Sequence, residues 1–299
     1  MNRSVQSLIT DISTRLAPVY RDAQQRYNAA WHILEYSTGL SKEQIVIKRD
    51  CHLKLEQKAR LQRVVNEIVF HNKPLQYIVG TVPFLDVSIE VRPPILIPRP
   101  ETEWWTSLVR DEVQKWAVNS TPKEPFRILD MCSGSGCIGL ALASLGEHIN
   151  VVGLDSNPAA VTLGEYNAKK NGLSNITFFV SNLFDSLHEG EQFDLIVTNP
   201  PYISPEEYSR LPESVRNWED KQALTAHENG LGIIKAITTT APKYLRGTFG
   251  CTALYCEIGY KQGSAVKSLF EKTGFKTVQL LYDLSGNERL VVGSGLGGR

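Results

Sequence analysis

Apolar residues recur at helical spacing through the first 73 residues of the chain. Three stripes each fall on one face of a helix. They comprise Val5, Leu8, Ile9, Ile12 and Leu16; Ala23, Tyr27, Ala30, Trp31 and Leu34; and Leu61, Val64, Val65, Ile68 and Val69. Gly39 follows the second stripe, where glycine commonly ends a helix. The pattern predicts a small helical domain over residues 1–73, which groups no catalytic residue types.

The period of the pattern changes after Pro74. Apolar residues alternate with polar ones from Val87 to Val91, which is typical of a strand with one buried face. Residues 74–98 are therefore predicted to be a linker built on a β-hairpin. Pro100 suits the first turn of a following helix. A helix start does not explain why an arginine, Arg99, lies between two prolines. Arg99 is therefore a candidate to face a site.

Strands and helices alternate from about residue 126 onward. Seven short apolar segments have the character of strands: 127–131, 151–154, 176–180, 193–198, 252–256, 276–281 and 289–292. Helical segments follow Gly136 and Pro158, and another spans residues 261–273. This alternation is typical of an α/β domain built on a parallel sheet. We predict that domain over residues 99–293, followed by a glycine-rich tail, 294–299, that its composition makes flexible.

Composition and charge narrow the class of protein. Lysine plus arginine and aspartate plus glutamate each number 32, so the net charge of zero argues against a nucleic-acid partner held mainly by bulk charge. No apolar run approaches the ~18 residues of a membrane span. Five cysteines, an odd number, favour a reducing compartment. Two C-x4-C spacings occur, but one straddles a glycine loop and the other lies in a predicted strand, so no metal site is expected.

A glycine-containing loop follows the first strand of the predicted sheet. Residues 132–136 let backbone approach a ligand closely at the N-terminus of the next helix. Asp155 ends the second strand, 19 residues beyond Gly136 (155 − 136), where an acid can bind both ribose hydroxyls. Gly134, Gly136 and Gly139 also match the G-x-G-x-x-G dinucleotide fingerprint. These features predict a nucleoside-containing cofactor and leave NAD and S-adenosylmethionine equally open.

The segment Asn199-Pro200-Pro201-Tyr202 follows the apolar run 193–198, at an edge where ligands of open α/β sheets bind. Its two prolines donate no backbone N–H, and the Asn199 side chain adds an acceptor and a donor. A planar substrate with an –NH2 group suits this arrangement, with the Tyr202 ring against its plane. A proline-rich turn is the structural alternative. We interpret the segment as an amide clamp, which favours S-adenosylmethionine over NAD because hydride transfer needs no such clamp.

Several motifs together resemble one family. They are Pro74 to Gly80, Ile97 to Glu103, Leu129 to Gly136, Asp155, Asn199 to Tyr202, Glu257-Ile258-Gly259 with Gln262, and Asp283 through Gly286 to Arg289. On these motifs the chain, up to about Gly293, resembles the HemK/PrmC family of glutamine methyltransferases. The resemblance implies an α/β fold of the class I S-adenosylmethionine-dependent methyltransferases. Such a fold has a Rossmann-like seven-stranded sheet, here joined by the β-hairpin to a small N-terminal helical domain.

The resemblance also implies roles for site residues. The cofactor S-adenosylmethionine is implied to contact Cys132, Ser133, Gly134, Ser135, Gly136, Asp155, Leu183 and Asn199. The catalytic substrate clamp is implied to comprise Asn199, Pro200, Pro201 and Tyr202. The chain departs from the family pattern at Cys132, where glycine is frequent, at Asn182-Leu183, where an acid and an aromatic are frequent, and at Asp220, where proline is usual.

The activity implied by the resemblance is methylation of the side-chain amide nitrogen, N5, of the glutamine in the Gly-Gly-Gln motif of peptide-chain release factors. It implies a release factor as partner, no association with a membrane, no direct nucleic-acid contact and a monomeric enzyme. The helical domain groups no catalytic residue types, so we assign it to grasping the release factor. A nucleic-acid adenine or guanine N-methyltransferase is the alternative. It needs the same clamp and also a basic groove, which the zero net charge disfavours. A non-enzymatic cofactor-binding scaffold would leave the clamp idle.

Residues 1–20 bear on the compartment. They carry Arg3 and Arg15 and one acid, Asp11, a composition that resembles a mitochondrial transit peptide. A first amphipathic helix explains the same residues. We predict a mitochondrial matrix location, and the cytoplasm, where bacterial members of the family work, is the alternative.

Overall fold

The computed structural model describes residues 3–47, 50–119, 125–246 and 253–296. The chain divides into two compact units. The helical unit comprises Met1–Gly80 with Pro212–Trp218, and the sheet unit comprises Thr81–Leu211 with Glu219–Arg299.

The helical unit packs its helices around one apolar core. Its elements up to Gly80 are β1 (Arg3–Ser4), α1 (Val5–Arg15), α2 (Ala23–Thr38), α3 (Lys42–Ile47), β2 (Asp50–Cys51), α4 (Leu55–His71) and α5 (Leu75–Val79). Asp22 caps α2, because its Oδ1 accepts a hydrogen bond from the Gln25 N–H at 2.7 Å. Each of the three predicted stripes contributes fully buried residues, among them Ile12, Leu34 and Ile68. Burial of each such side chain stabilises the fold by ~1.5–3 kcal/mol.

The segment 75–79 is helical, although the sequence pattern predicted that the hairpin linker would begin at residue 74. Leu75 and Tyr77 are buried, and Leu75 belongs to the core of the helical unit. Gly80 ends the helix in the left-handed conformation, with its N–H donating to the Gln76 carbonyl at 2.8 Å. A segment this short does not show whether its apolar residues recur with helical or strand spacing, so its structure depends on contact with the core.

The remaining elements follow in chain order. They are β3 (Thr81–Phe84), β4 (Val87–Glu90), α6 (Pro100–Asn119), β5 (Phe126–Met131), α7 (Cys137–Ala143), β6 (Ile149–Asp155), α8 (Pro158–Lys170), β7 (Ile176–Val180), β8 (Leu195–Thr198), α9 (Pro205–Tyr208), α10 (Glu213–Arg216), α11 (Lys221–Leu224), α12 (Gly232–Tyr244), β9 (Ala253–Glu257), α13 (Gly263–Lys272), β10 (Phe275–Tyr282) and β11 (Glu288–Leu296). Each strand predicted beyond residue 126 is present close to its predicted start.

Seven strands form one sheet in the order β10-β11-β9-β8-β5-β6-β7. The strands β5 to β9 run parallel to one another, and β11 pairs antiparallel with both β9 and β10. This topology confirms the predicted α/β fold with a Rossmann-like seven-stranded sheet. The strand order changes direction between β5 and β8. The carboxyl ends of β5, β6 and β8 therefore border the crevice where such sheets bind ligands.

The predicted hairpin exists, but it is part of the sheet unit. β3 and β4 pair from Thr81 to Glu90. Asn167, in α8, and Asn171, at its C-terminal end, accept hydrogen bonds from the backbone of β4. The Glu90 N–H donates to Asn167 Oδ1 at 2.8 Å, and the Ser88 N–H donates to Asn171 Oδ1 at 2.9 Å. These bonds satisfy an exposed strand edge. They correct the prediction that residues 74–98 form a linker.

Residues 212–218 group with the helical unit, whereas the sequence pattern assigned them to the α/β domain, 99–293. The Trp218 indole N–H donates to the His71 carbonyl at 2.9 Å. The Asn72 side chain donates to Glu213 at 2.8 Å. The Lys73 ammonium lies 5.0 Å from the centre of the Trp218 ring, within the range of a cation–π contact. These contacts tie the inserted segment to the end of α4.

The last strand extends into the predicted tail. β11 continues to Leu296, and Ser294 is paired with Ala253 on one side and with Thr277 on the other. The prediction that residues 294–299 are flexible is therefore wrong for 294–296, and residues 297–299 lie outside the described part of the chain. Glycine-rich composition favours flexibility in an isolated segment, but pairing with β10, and at Ser294 also with β9, overrides it here.

Candidate active site

A cavity of about 340 Å³ opens at the carboxyl ends of β5, β6 and β8. Its volume is in the range of small-molecule sites, ~300–1,000 Å³. The residues that line it are Ile95, Leu96, Cys132, Gly134, Asp155, Ser156, Asn157, Pro158, Ala160, Asn199, Pro201, Asp220, Gln222 and Ala223. The structure thus brings together Cys132, Gly134, Asp155, Asn199 and Pro201, which the sequence placed at three separate strand ends.

The glycine loop is a tight turn that leads into α7. The Gly136 N–H donates to the Ser133 carbonyl at 2.8 Å, and Gly136 has a φ of 81°, in the region that favours glycine. Further on, the Gly139 N–H donates to Asp130 Oδ2 at 2.9 Å. A Cβ at Gly139 would itself lie 2.9 Å from that oxygen, so only glycine permits the contact. The third glycine of the motif therefore serves close packing of the helix on the strand.

Asp130 lies at the base of this loop and is fully buried. Its Oδ1 has no hydrogen-bond partner among the described residues. Burial raises the pKa of Asp130 to about 7, and the negative charge of Asp155 acts in the same direction.

Asp155 ends β6 and borders the cavity. Its Oδ2 accepts from the Gly134 N–H at 2.8 Å, and its Oδ1 accepts from the Asn157 N–H at 2.8 Å. Burial raises the pKa of Asp155, and the negative charge of Asp220 acts in the same direction. The carboxylate therefore braces both loops while it faces the cavity.

The other residues predicted to contact the cofactor differ in position. Cys132 lines the cavity in a left-handed conformation, φ 60°, and burial raises the pKa of its thiol. Ser133 and Ser135 are buried, and Ser133 Oγ has no hydrogen-bond partner among the described residues. Leu183, also left-handed at φ 50°, packs against the core and is not among the described residues that line the cavity.

The Asn199 side chain is held by a hydrogen-bond network that sequence reasoning did not find. Its Nδ2 donates to Thr102 Oγ1 at 3.1 Å, and the Thr102 hydroxyl donates to Glu257 Oε2 at 2.7 Å. The Trp105 indole N–H donates to the same Oε2 at 2.7 Å, and the Tyr202 hydroxyl donates to Oε1 at 3.1 Å. We call these residues the Glu257 network.

The Glu257 carboxylate is the centre of this network. It is buried at the end of β9, and burial raises its pKa, whereas the donors from Trp105 and Thr102 lower it. Two signals could have revealed the network. Thr102 and Trp105 are three residues apart and so share one face of α6. Glu257, like Asp155, is an acid at the carboxyl end of a parallel strand.

One wall of the cavity is formed by Asp220, Gln222 and Ala223. Arg99 contacts the Glu219 carboxylate with Nη2 at 2.7 Å from Oε1. The Asp220 N–H donates to the Pro94 carbonyl at 2.8 Å, and the Asn157 side chain approaches Asp220 Oδ2 at 3.4 Å. Arg99 therefore contacts the carboxylate that directly precedes Asp220 in the wall of the cavity.

A second cavity, of about 360 Å³, lies beside Tyr202. Its lining includes Ile203, Glu207, Arg210, Tyr260 and Lys261. The Asn199–Tyr202 segment thus borders two cavities, with Asn199 and Pro201 on the first and Tyr202 on the second. Pro200, between them, is buried.

Metal-ligating side chains do not cluster in threes anywhere in the described part of the chain. Cys132, Cys137 and Cys256 are free thiols; the side chains of Cys51 and Cys251 lie outside what the structure describes. Among the helices of the described ranges, none combines the length and the apolar character needed to cross a bilayer.

Comparisons with known proteins agree with this architecture. Residues 7–80 match the family model of the PrmC N-terminal domain, and residues 111–251 match that of the methyltransferase small domain. The fold resembles the human hMettl16 catalytic domain, solved in complex with an RNA hairpin. The TM-score is 0.54 at 16% identity, over 81% of this chain and 82% of that one. An identity this low supports similarity of fold alone.

Sequence relatives are closer. The release factor glutamine methyltransferase of Salmonella typhimurium is 34% identical over 274 residues, which cover 91% of this chain and 94% of the relative. That of Geobacter sulfurreducens is 34% identical over 269 residues, which cover 90% of this chain and 89% of the relative. Because this similarity runs through both the helical and the sheet units, the chain belongs to the family of release factor glutamine methyltransferases.

Proposed function

We propose that this chain transfers a methyl group from S-adenosylmethionine to the side-chain amide nitrogen of the glutamine in the Gly-Gly-Gln motif of a peptide-chain release factor. One observation carries the proposal. Asn199, whose Nδ2 is occupied by Thr102, lines the same cavity as Asp155 and the glycine loop. A site for a nucleoside cofactor and an amide acceptor therefore adjoin. The names of the family's relatives support the choice of substrate.

The residues of the cavity fit the cofactor. Asp155 would hold the ribose hydroxyls, and the loop 132–136 would approach the amino-acid part. Two buried polar atoms near this loop, Asp130 Oδ1 and Ser133 Oγ, lack partners among the described residues, and a polar ligand or ordered water would satisfy them. When bound, S-adenosylmethionine supplies an electrophilic methyl group on a sulfonium.

The clamp addresses the weak nucleophilicity of an amide nitrogen, whose lone pair is delocalised into the carbonyl. The Asn199 Oδ1 and the Pro200 carbonyl would accept the two N–H hydrogens of the substrate amide. This orients the nitrogen and stabilises the positive charge that develops on it. No general base is needed before attack, because the alkylated amide is acidic and can lose its proton to water.

The polypeptide would approach from the side of Tyr202. The second cavity borders that ring and offers both apolar and charged side chains, including Ile203, Arg210 and Lys261. Residues that flank the substrate glutamine would occupy it. We assign the helical unit to holding the rest of the release factor, because its described residues contribute nothing to the lining of either cavity.

Mass spectrometry tests the proposal. The protein is incubated with S-adenosylmethionine and a release factor, and the peptide that contains Gly-Gly-Gln is examined for one added methyl group on glutamine. A release factor with glutamate in place of that glutamine is the matched control, and bare tRNA and DNA are offered in parallel. Methylation of nucleic acid with none on the release factor would contradict the proposal.

The compartment stays a prediction. The mitochondrial matrix is the proposed location, and the cytoplasm is the alternative. In the structure, residues 5–15 form α1, whose Leu8, Ile9 and Ile12 are buried in the helical unit. Fractionation of cells that express the tagged chain would decide between the two compartments.

A further inference from the structure

We infer that Thr102 and Glu257 are positioning residues that set the orientation of the Asn199 amide, so that its oxygen and not its NH2 group is offered to the substrate. The inference rests on the proposed function, since it explains how the clamp presents an acceptor. It starts from the Glu257 network, in which the hydrogen bonds at Glu257 Oε2 have only one possible direction.

The direction is set by Trp105. An indole N–H can only donate, so Glu257 Oε2, at 2.7 Å from Trp105 Nε1, must accept. A proton on the carboxyl group would therefore lie on Oε1, which faces the Tyr202 hydroxyl at 3.1 Å. Whatever its protonation state, Glu257 offers an acceptor at Oε2. The Thr102 hydroxyl, at 2.7 Å from this atom, donates its one proton there.

Thr102 then has only lone pairs left for Asn199. An amide NH2 facing Thr102 Oγ1 at 3.1 Å makes a hydrogen bond, whereas a flipped amide would place two oxygens together with no proton between them. Water cannot easily supply the missing proton, because Thr102 and Glu257 are each 1% exposed and Trp105 is 0% exposed. The buried network thus selects one of the two amide orientations.

The selected orientation suits the proposed chemistry. With Nδ2 occupied, Oδ1 is the polar atom of Asn199 that remains for a ligand in the cavity, and a substrate –NH2 needs an acceptor. In the opposite orientation the Asn199 NH2 would face the substrate –NH2, with no acceptor between the two donors. Glu257 also holds the other end of the clamp through the Tyr202 hydroxyl, so one carboxyl group orders both ends of the segment Asn199–Tyr202.

A pair of variants at Thr102 isolates this role. Thr102→Val keeps the shape of the side chain and removes the hydroxyl, whereas Thr102→Ser keeps the hydroxyl. In single-turnover methylation of a release factor, we expect Thr102→Val to lower the rate about tenfold or more, the scale of one lost buried hydrogen bond. Thr102→Ser should restore most of the rate. The Kd for S-adenosylmethionine should change less than twofold in both, because neither removes a group proposed to bind it.

Thr239→Val is the matched control. Thr239 also lies in a helix, and its hydroxyl donates to the Lys235 carbonyl of its own helix at 2.7 Å, away from the cavity. The single-turnover methylation rate of Thr239→Val should equal that of the wild type. Thermal unfolding of all variants separates loss of rate from loss of fold.

Glu257→Gln gives a second test. A glutamine can place its carbonyl at the Oε2 position, where Trp105 and Thr102 donate, and its NH2 toward the Tyr202 oxygen. It should therefore retain much more activity than Glu257→Ala, which removes the acceptor. Equal loss in the two variants, both folded, would contradict the assigned direction of the network.

An NMR measurement makes the test independent of activity. In protein labelled with ¹⁵N-asparagine, the Asn199 side-chain NH2 signals, identified by their absence in Asn199→Ala, should shift in Thr102→Val and stay near the wild-type position in Thr102→Ser. Unmoved signals together with an unchanged rate in Thr102→Val would overturn the inference. If the wild type methylates no glutamine, the proposed function fails, while the NMR comparison still decides whether Thr102 orients Asn199.

Discussion

Arg99 binds both oxygens of the Glu219 carboxylate through a single nitrogen, with Nη2 at 2.7 Å from Oε1 and 2.5 Å from Oε2. The Glu219 side chain is 1% exposed and that of Arg99 is 32% exposed. Burial raises the pKa of Glu219, and the charge of Arg99 opposes that shift. The pair anchors the start of one wall of the first cavity, because the lining residues Asp220, Gln222 and Ala223 follow Glu219 directly in the chain.

Arg99→Ala should therefore destabilise the protein and weaken cofactor binding. The substitution leaves a buried carboxyl group without its partner. Loss of one member of a buried pair costs ~3–5 kcal/mol, and partial exposure of Arg99 reduces the expected loss to about 2 kcal/mol. Urea unfolding measures the stability. Lys115→Ala, which breaks an exposed pair with Glu112, is the control and should cost less than ~0.5 kcal/mol. Equal losses in the two variants would contradict the anchoring role.

Asp155→Ala should weaken the binding of S-adenosylmethionine by about ten- to a hundredfold. Hydrogen bonds to a charged group contribute ~1.5–3 kcal/mol, and the loop also loses the bond from the Gly134 N–H. Isothermal titration calorimetry measures the change, with the exposed Asp111→Ala as control. Tight binding of NAD by the wild type, with none of S-adenosylmethionine, would overturn the assignment of the cofactor.

Asn199→Ala should lower kcat by about a hundred- to a thousandfold. A preorganised polar contact to developing charge typically contributes ~2.7–4 kcal/mol in the transition state. Cofactor affinity should change far less than kcat, because the contact strengthens only as charge develops on nitrogen. The matched control is Asn150→Ala, because Asn150 is exposed and lies near the start of β6, at the end of that strand away from the cavity. Near-normal kcat in Asn199→Ala would show that the clamp does not orient the substrate amide.

Asp130 should make the stability of the protein depend on pH. In the folded protein the pKa of Asp130 is raised to about 7, whereas in the unfolded chain it is near its ordinary value of 3.8. Between pH 5 and 7 Asp130 therefore keeps its proton in the folded protein and has lost it in the unfolded chain. Unfolding then releases a proton, and rising pH favours unfolding. Relative to Asp130→Asn, the wild type should lose about 2 kcal/mol of stability from pH 5 to pH 7. Denaturant unfolding of both proteins at the two values measures it, and a constant difference between them would refute the raised pKa.

Removal of residues 1–80 should separate substrate binding from cofactor binding. The described residues that line the proposed cofactor cavity all belong to the sheet unit, so the Kd for S-adenosylmethionine should stay within about threefold. The KM for an intact release factor should rise at least tenfold, because the proposed grasp is lost. Circular dichroism checks that the truncated protein is folded. A folded truncation that keeps the original KM would remove the helical unit from substrate recognition.

Several features were predictable from the sequence because they depend on neighbouring residues. Helical spacing of apolar residues identifies α1, α2 and α4, because each of these helices buries one face. Short apolar runs identify the strands of the sheet, because a central parallel strand is buried on both faces. The cavity residues Gly134, Asp155 and Asn199 were found because each lies at the end of a predicted strand or in the loop that follows it. Parallel strands bring their carboxyl ends to one edge, so strand-end chemistry identifies a site without any knowledge of long-range contacts.

The features that could not be predicted depend on contacts between residues far apart in the chain. Glu257 lies 155 positions from Thr102, and Glu219 lies 120 positions from Arg99. Periodicity reports how an element faces the core, and it carries no information about which buried polar group meets which. The pairing of 294–296 into the sheet has the same origin. Local sequence patterns therefore predict the fold and the strand ends that border the cavity, whereas packing in three dimensions sets the direction of the hydrogen bonds that orient Asn199.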